Sequence, residues 1–215
     1  MNKSIVIGII SYLPDNKSRV NRINKLNKLV NACLYLFPNQ KIYIVAQNWK
    51  TFQLDTINKN ILVIDFGSKP LGIVGARKEL RRIFLDYTTA DYLVMLDDDC
   101  ELRGSSGEEY IKQINDNPDC FIEFNRTLLK LFAVSRKLLS QVDFDDISPE
   151  KGEGFEDRIF VNKLRKMFPE AKREFTNTGL SEYSISTKDP DSTWYNNQDI
   201  KEMLDRTQKE IEKLS

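Results

Sequence analysis

Short apolar runs alternate with longer stretches in which apolar residues recur every three or four positions through the first part of the chain. Residues 5–10, 41–47, 61–66 and 92–97 are strand-length, rich in β-branched side chains and bounded by turn formers such as Pro14-Asp15-Asn16. Residues 18–37 read as a helix with Val20, Ile23, Val30, Leu34 and Phe37 on one face, stopped by Pro38. Residues 75–87 read as another. Strands that are apolar throughout must be covered on both faces, which a parallel sheet with crossover helices achieves. The predicted fold class is α/β: a doubly wound, mostly parallel sheet with helices on both faces.

Later the rhythm changes. Residues 108–115 and 156–167 look helical, 120–125 and 128–135 look like strands, and 175–197 form a polar stretch that reads as a long loop carrying Tyr183, Trp194 and Tyr195. Residues 197–215 form an amphipathic helical pattern, with Ile200, Met203, Leu204, Ile211 and Leu214 on one side. That face packs either onto the body or onto a second copy. No linker or repeat interrupts the chain, so one domain spans 1–215. It divides into a first half (about 1–100), a second half (about 101–195) and the terminal helix (196–215).

Composition narrows the chemistry. Lys+Arg and Asp+Glu are both 32 in 215 residues, a balance without the basic excess of bulk nucleic-acid binding. No apolar run is long enough to span a bilayer, and no secretory leader is evident. Cys33, Cys100 and Cys120 are scattered without metal-ligand spacing, so reduced thiols and a cytoplasmic location are expected. Histidine is absent, which leaves carboxylates, amides, hydroxyls and cations for any catalysis. Arg19, Arg22, Lys25 and Lys28 recur every third residue. They read as a solvated helix face, or alternatively as a contact for an anionic lipid surface at the inner face of the membrane.

Doubly wound sheets gather ligands beyond the carboxyl ends of their strands. The positions there are Ser11 and Tyr12, Gln47 and Asn48, Asp65, and Asp97-Asp98-Asp99. Three adjacent carboxylates closing an apolar strand repel one another, and a divalent cation relieves that repulsion. Oxygen-only ligation suits magnesium or manganese. Alternation along an extended segment lets Asp97 and Asp99 face one site while Asp98 turns elsewhere. Taken alone, an acidic triplet reads more often as a solvated turn, and its placement directly after an apolar strand is what points to a site. Glu156 and Asp157 open a helix after Gly152 and Gly154, a pattern that fits either capping or a general base.

Taken in order, Gly72-IVGAR-Lys78, Ala90-DYLVMLDDDCEL, Leu131-FAVSRKLL and Glu156-Asp157-RIFVNKL resemble the inverting family-two glycosyltransferases of the GT-A superfamily. The likeness runs through most of residues 4–164. It implies a nucleotide-sugar donor, with UDP favoured, and a saccharide or lipid-linked saccharide acceptor. It implies metal ligation by Asp99 with Asp97, donor contacts from Ser11, Tyr12, Arg77, Asp97 and Asp98, and Asp157 as base beside Glu156. Three features depart from the family pattern. Ala46, Gln47 and Asn48 replace an acidic strand end, Lys78 replaces an asparagine, and no late histidine exists, with Asp189 or Asp191 as candidate substitutes. Trp194 and Tyr195 then belong to a loop that either anchors itself or closes over donor. A nucleotidyltransferase fits less well, since Gly8-IISYLPDNK lacks a glycine-rich phosphate loop. A catalytically inactive GT-A-like scaffold is the reading from a different class.

Overall fold

The computed structural model describes residues 3–100, 102, 107–123, 131–145, 156–171, 173–175 and 209. A seven-stranded sheet runs through it. Strands β1 (Ile5–Tyr12), β2 (Lys41–Gln47), β3 (Ile61–Asp65) and β4 (Tyr92–Asp97) are mutually parallel. Next come β5 (Phe121–Glu123), β6 (Leu131–Ser135) and β7 (Arg173–Phe175), in the spatial order β3-β2-β1-β4-β6-β5-β7. Strand β6 is antiparallel to both neighbours, and β7 pairs parallel with β5.

The chain winds outward from β1 to β3 and then returns to lay β4 on the other side of β1. This reversal leaves a crevice at the carboxyl ends of β1 and β4, where Ile10 is in register with Asp97.

Helices α1 (Arg19–Leu36) and α3 (Glu108–Asp116) cover one face, packing Leu26, Leu29, Cys33 and Ile114 against Ile7, Ile9, Ile44 and Val94. Helices α2 (Gly72–Tyr87), α4 (Arg136–Leu139) and α5 (Glu156–Met167) cover the other, with Leu80, Phe84, Leu139 and Phe160 against Val45, Leu93 and Phe132. Each such buried side chain contributes about 1.5–3 kcal/mol. Phe144 and Phe160 stack with centroids 4.2 Å apart. Arg136 lies over the Phe84 ring and donates to the carbonyls of Phe84, Leu85, Thr88 and Ala90. One guanidinium thereby ties the last turn of α2, at Phe84 and Leu85, to the link at Thr88 and Ala90 that leads into β4.

The α/β class, the mostly parallel sheet and the helices on both of its faces agree with the expectation from sequence. Several details differ. Val20 is exposed, and the buried face of α1 is Leu26, Leu29, Val30, Cys33 and Leu36. The first turn of α1 lies beside the strand ends, where Arg22 meets Asp98, and not over the sheet. Strand β3 is an edge with Leu62 and Val63 exposed, so it is not covered on both faces. Helix α4 and strand β7 are additional elements. The expected loop at 175–197 and the terminal helix, with the dimer contact suggested for it, lie outside the described residues apart from Phe175, which closes β7, and Lys209, which is helical and exposed. No helix among the described residues is long and apolar enough to cross a membrane. Cys33, Cys100 and Cys120 are buried thiols, not disulfide-bonded among the described residues, and burial pushes the Cys33 thiol up to about 12.

Candidate active site

The ends of β1 and β4 bring together most of the residues singled out in the sequence. Asp97 and Asp98 turn to opposite sides of the sheet. Asp97, the last residue of β4, points to the α2 side, where the Arg77 guanidinium lies 3.4 Å from its carboxylate. Arg77 is buried on the inner face of α2, with its guanidinium 5.9 Å from the Phe144 ring. It stands behind Asp97 as a buried counter-charge.

Asp98 takes the opposite side and is 3% exposed. One carboxylate oxygen accepts from the Ser11 hydroxyl at 3.0 Å and the Tyr12 amide at 3.1 Å, and the other accepts from Arg22 at 2.7 Å. Burial pushes the Asp98 carboxyl up, opposed by Arg22 and the Ser11 and Tyr12 donors. Burial also works against the charge on Arg22, but the carboxylates of Asp98, Asp99 and Asp97 prevail and raise it. Every contact to Asp98 is donated to it, an arrangement that satisfies the ionised form. Ser11 is also buried, and its oxygen accepts from the Trp49 indole at 3.1 Å. Its side chain is therefore occupied within the protein, whereas Tyr12 is half-buried at the crevice edge.

The neighbouring strand ends are braced in the same way. Arg19 donates to the carbonyls of Leu13, Asn48 and Trp49. Gln47 is in register with Tyr12, and its side-chain oxygen accepts from the Leu71 amide at 2.6 Å, ahead of Gly72, whose φ of 71° favours glycine. Asp65 is exposed and closes a turn by accepting from the Gly67 amide. The basic stripe on α1 is thus not uniformly solvated: Arg19 and Arg22 hold the site together. Their signal in the sequence was position, in the first turns of the helix that follows β1.

Asp99 follows in the turn closed by the Cys100 amide on the Asp97 carbonyl, and is partly buried. Among the described residues no group of three or more acidic, Cys or His side chains is placed to hold a metal. The triplet is not a three-carboxylate cage, because Asp98 is turned into the protein. Asp97 and Asp99 remain as two hard oxygen donors. That set fits magnesium or manganese, ions that keep several waters and complete their shell with phosphate oxygens. Glu156 and Asp157 are the first residues of α5. Their side chains lie outside the described residues, as do Asp189, Asp191, Trp194 and Tyr195.

No family model matches the chain, and no curated protein matches it in sequence. Solved structures do share its fold. A mannosyltransferase from Pyrobaculum calidifontis, in complex with GDP-Man and Mn2+, has a TM-score of 0.60 at 12% identity over 88% of this chain and 59% of its own. S. aureus TarS residues 1–349, in complex with UDP-GlcNAc, has a TM-score of 0.54 at 13% identity over 76% of this chain and 53% of its own. A second structure of S. aureus TarS gives 0.57 at 13% identity over 85% of this chain and 37% of its own. The chain therefore spans little more than half the length of the mannosyltransferase. The fold is of the GT-A type.

Proposed function

We propose that this chain moves a sugar from a nucleotide-diphosphate sugar to an acceptor hydroxyl, with metal assistance and inversion at the anomeric carbon. The observation that carries the reading is the meeting of Asp97, Asp98 and Arg77 with the end of β1 at the switch point of the sheet. Two structures of the same fold hold GDP-Man with Mn2+ and UDP-GlcNAc, which supports a sugar-nucleotide ligand here.

In this reading Asp97 and Asp99 hold Mn2+ or Mg2+, which when bound neutralises charge on the departing diphosphate. Arg77 keeps the Asp97 carboxylate oriented from behind and balances its charge. The end of β1 at Ser11 and Tyr12 forms the floor against which the nucleoside lies, with the Tyr12 ring at its edge. Asp98 holds that floor to the end of β4. Asp157, at the start of α5 beside Glu156, takes the proton from the acceptor hydroxyl as it attacks. A single base on the face opposite the leaving diphosphate gives inversion. UDP is the favoured nucleotide, and a saccharide or lipid-linked saccharide the favoured acceptor class.

The test is release of free nucleotide from UDP- and GDP-sugars with Mn2+, with and without candidate saccharide acceptors. Activity in the wild type that disappears in Asp157→Asn while donor binding persists supports the assignment. Equal turnover in that variant would remove Asp157 as the base.

A further inference from the structure

Asp98 is the meeting point of three separately folded elements. Ser11 and Tyr12 reach it from β1, Arg22 from α1, and the residue itself continues β4. Trp49, beyond the end of β2, joins through its indole on the Ser11 hydroxyl. Trp49 packs with the core on the α1 side of the sheet, whereas Asp97 meets Arg77 on the α2 side.

A buried carboxylate that accepts three hydrogen bonds, one from a guanidinium, has little rotational freedom. Its backbone is fixed with it. Asp97 and Asp99 are its two sequence neighbours, so the direction in which each projects follows from how Asp98 is held. The fourfold arginine and lysine stripe of α1 therefore contains one residue with a distinct task. Arg22 is 30% exposed and its carboxylate partner 5% exposed, so the pair is screened far less than a surface ion pair.

We infer that Arg22 is a positioning residue for the metal-dependent step: through Asp98 it sets the two flanking carboxylates for the cation, without touching cation or donor. This rests on the sugar-nucleotide reading above. Hydrogen-bonding partners of metal ligands alter metal affinity by roughly tenfold to a hundredfold when lost, and Arg22, acting one residue further out through Asp98, belongs at the lower end of that range.

The experiment compares wild type, Arg22→Met and Asp98→Asn by calorimetric titration of UDP and GDP, with and without Mn2+. Thermal melts confirm that each variant is folded at the titration temperature. Asp98→Asn retains a side-chain oxygen for Ser11 and Tyr12, and serves if Arg22→Met does not fold. For Arg22→Met the expected result is metal-free nucleotide affinity within about twofold of wild type, and in both variants the gain on adding Mn2+, measured against the same variant without metal, falls roughly tenfold. Arg22→Met combined with Asp98→Asn is expected to be no worse than either alone, since both break one unit. A folded Arg22→Met or Asp98→Asn variant with the full wild-type Mn2+ gain would overturn the inference and leave the functional reading intact. A wild type without any Mn2+ gain would overturn both.

Discussion

Arg77 and Asp97 face each other across 3.4 Å at the boundary between the core and the crevice, the arginine side chain 3% exposed and the aspartate 13%. The pair gives Asp97 a fixed orientation and an internal counter-charge. Because the cation is the more deeply buried partner, its removal leaves a carboxylate at a dry strand end.

Arg77→Met is expected to lower stability by about 3 kcal/mol in urea denaturation. Adding Asp97→Asn should recover part of that loss, because the uncompensated charge goes too. Strictly additive losses in the double variant would show that the pair does not act as a unit.

Gly107 precedes α3, where a Cβ would lie 1.8 Å from the Leu36 carbonyl oxygen at the end of α1. That atom is backbone and cannot swing aside. Gly107→Ala should therefore push α1 and α3 apart and cost about 1–3 kcal/mol. Unchanged denaturation would contradict the close approach of these helices.

Asp91 precedes β4 and accepts from the backbone amide and hydroxyl of Ser4, which hold its carboxyl below the ordinary 3.8. A depressed carboxylate contributes stability that is complete above the unfolded value and is lost as pH falls through the folded one. Asp91→Asn is therefore expected to be less stable than wild type near pH 7. The gap should narrow below about pH 3.8. A gap independent of pH across that window would assign the contribution to shape alone.

The first four strands and the helices α1 and α2 were legible because each strand is a short apolar run, although at β3 the same pattern marks an exposed edge rather than a covered strand. The site was legible as far as an acidic triplet at the end of such a strand can indicate it. The reason offered from sequence, repulsion relieved by a cation, is only part of the account. Arg22 and Arg77 already offset Asp98 and Asp97, and neither pairing is visible in one dimension because the partners lie 76 and 20 residues apart. Arg22 was masked by its own periodicity, which matches a solvated stripe. Val20 misled for the converse reason: it matches the apolar period in a turn that has no sheet beneath it. Helix α4 and strand β7 are four and three residues long, too short for periodicity to register. Gln47 and Asn48 at the end of β2 left nucleotide preference unread, and the structure shows Gln47 engaged by the Leu71 amide.

The central claim is a metal-assisted sugar-nucleotide site at the end of β4. Calorimetric titration of UDP and GDP with and without Mn2+, into wild type and Asp99→Ala, tests it most directly. The account predicts Mn2+-enhanced binding of one nucleotide, UDP by preference, that is lost in Asp99→Ala. Folded wild-type protein that binds neither nucleotide, or an Asp99→Ala variant that keeps the full Mn2+ enhancement, would contradict it.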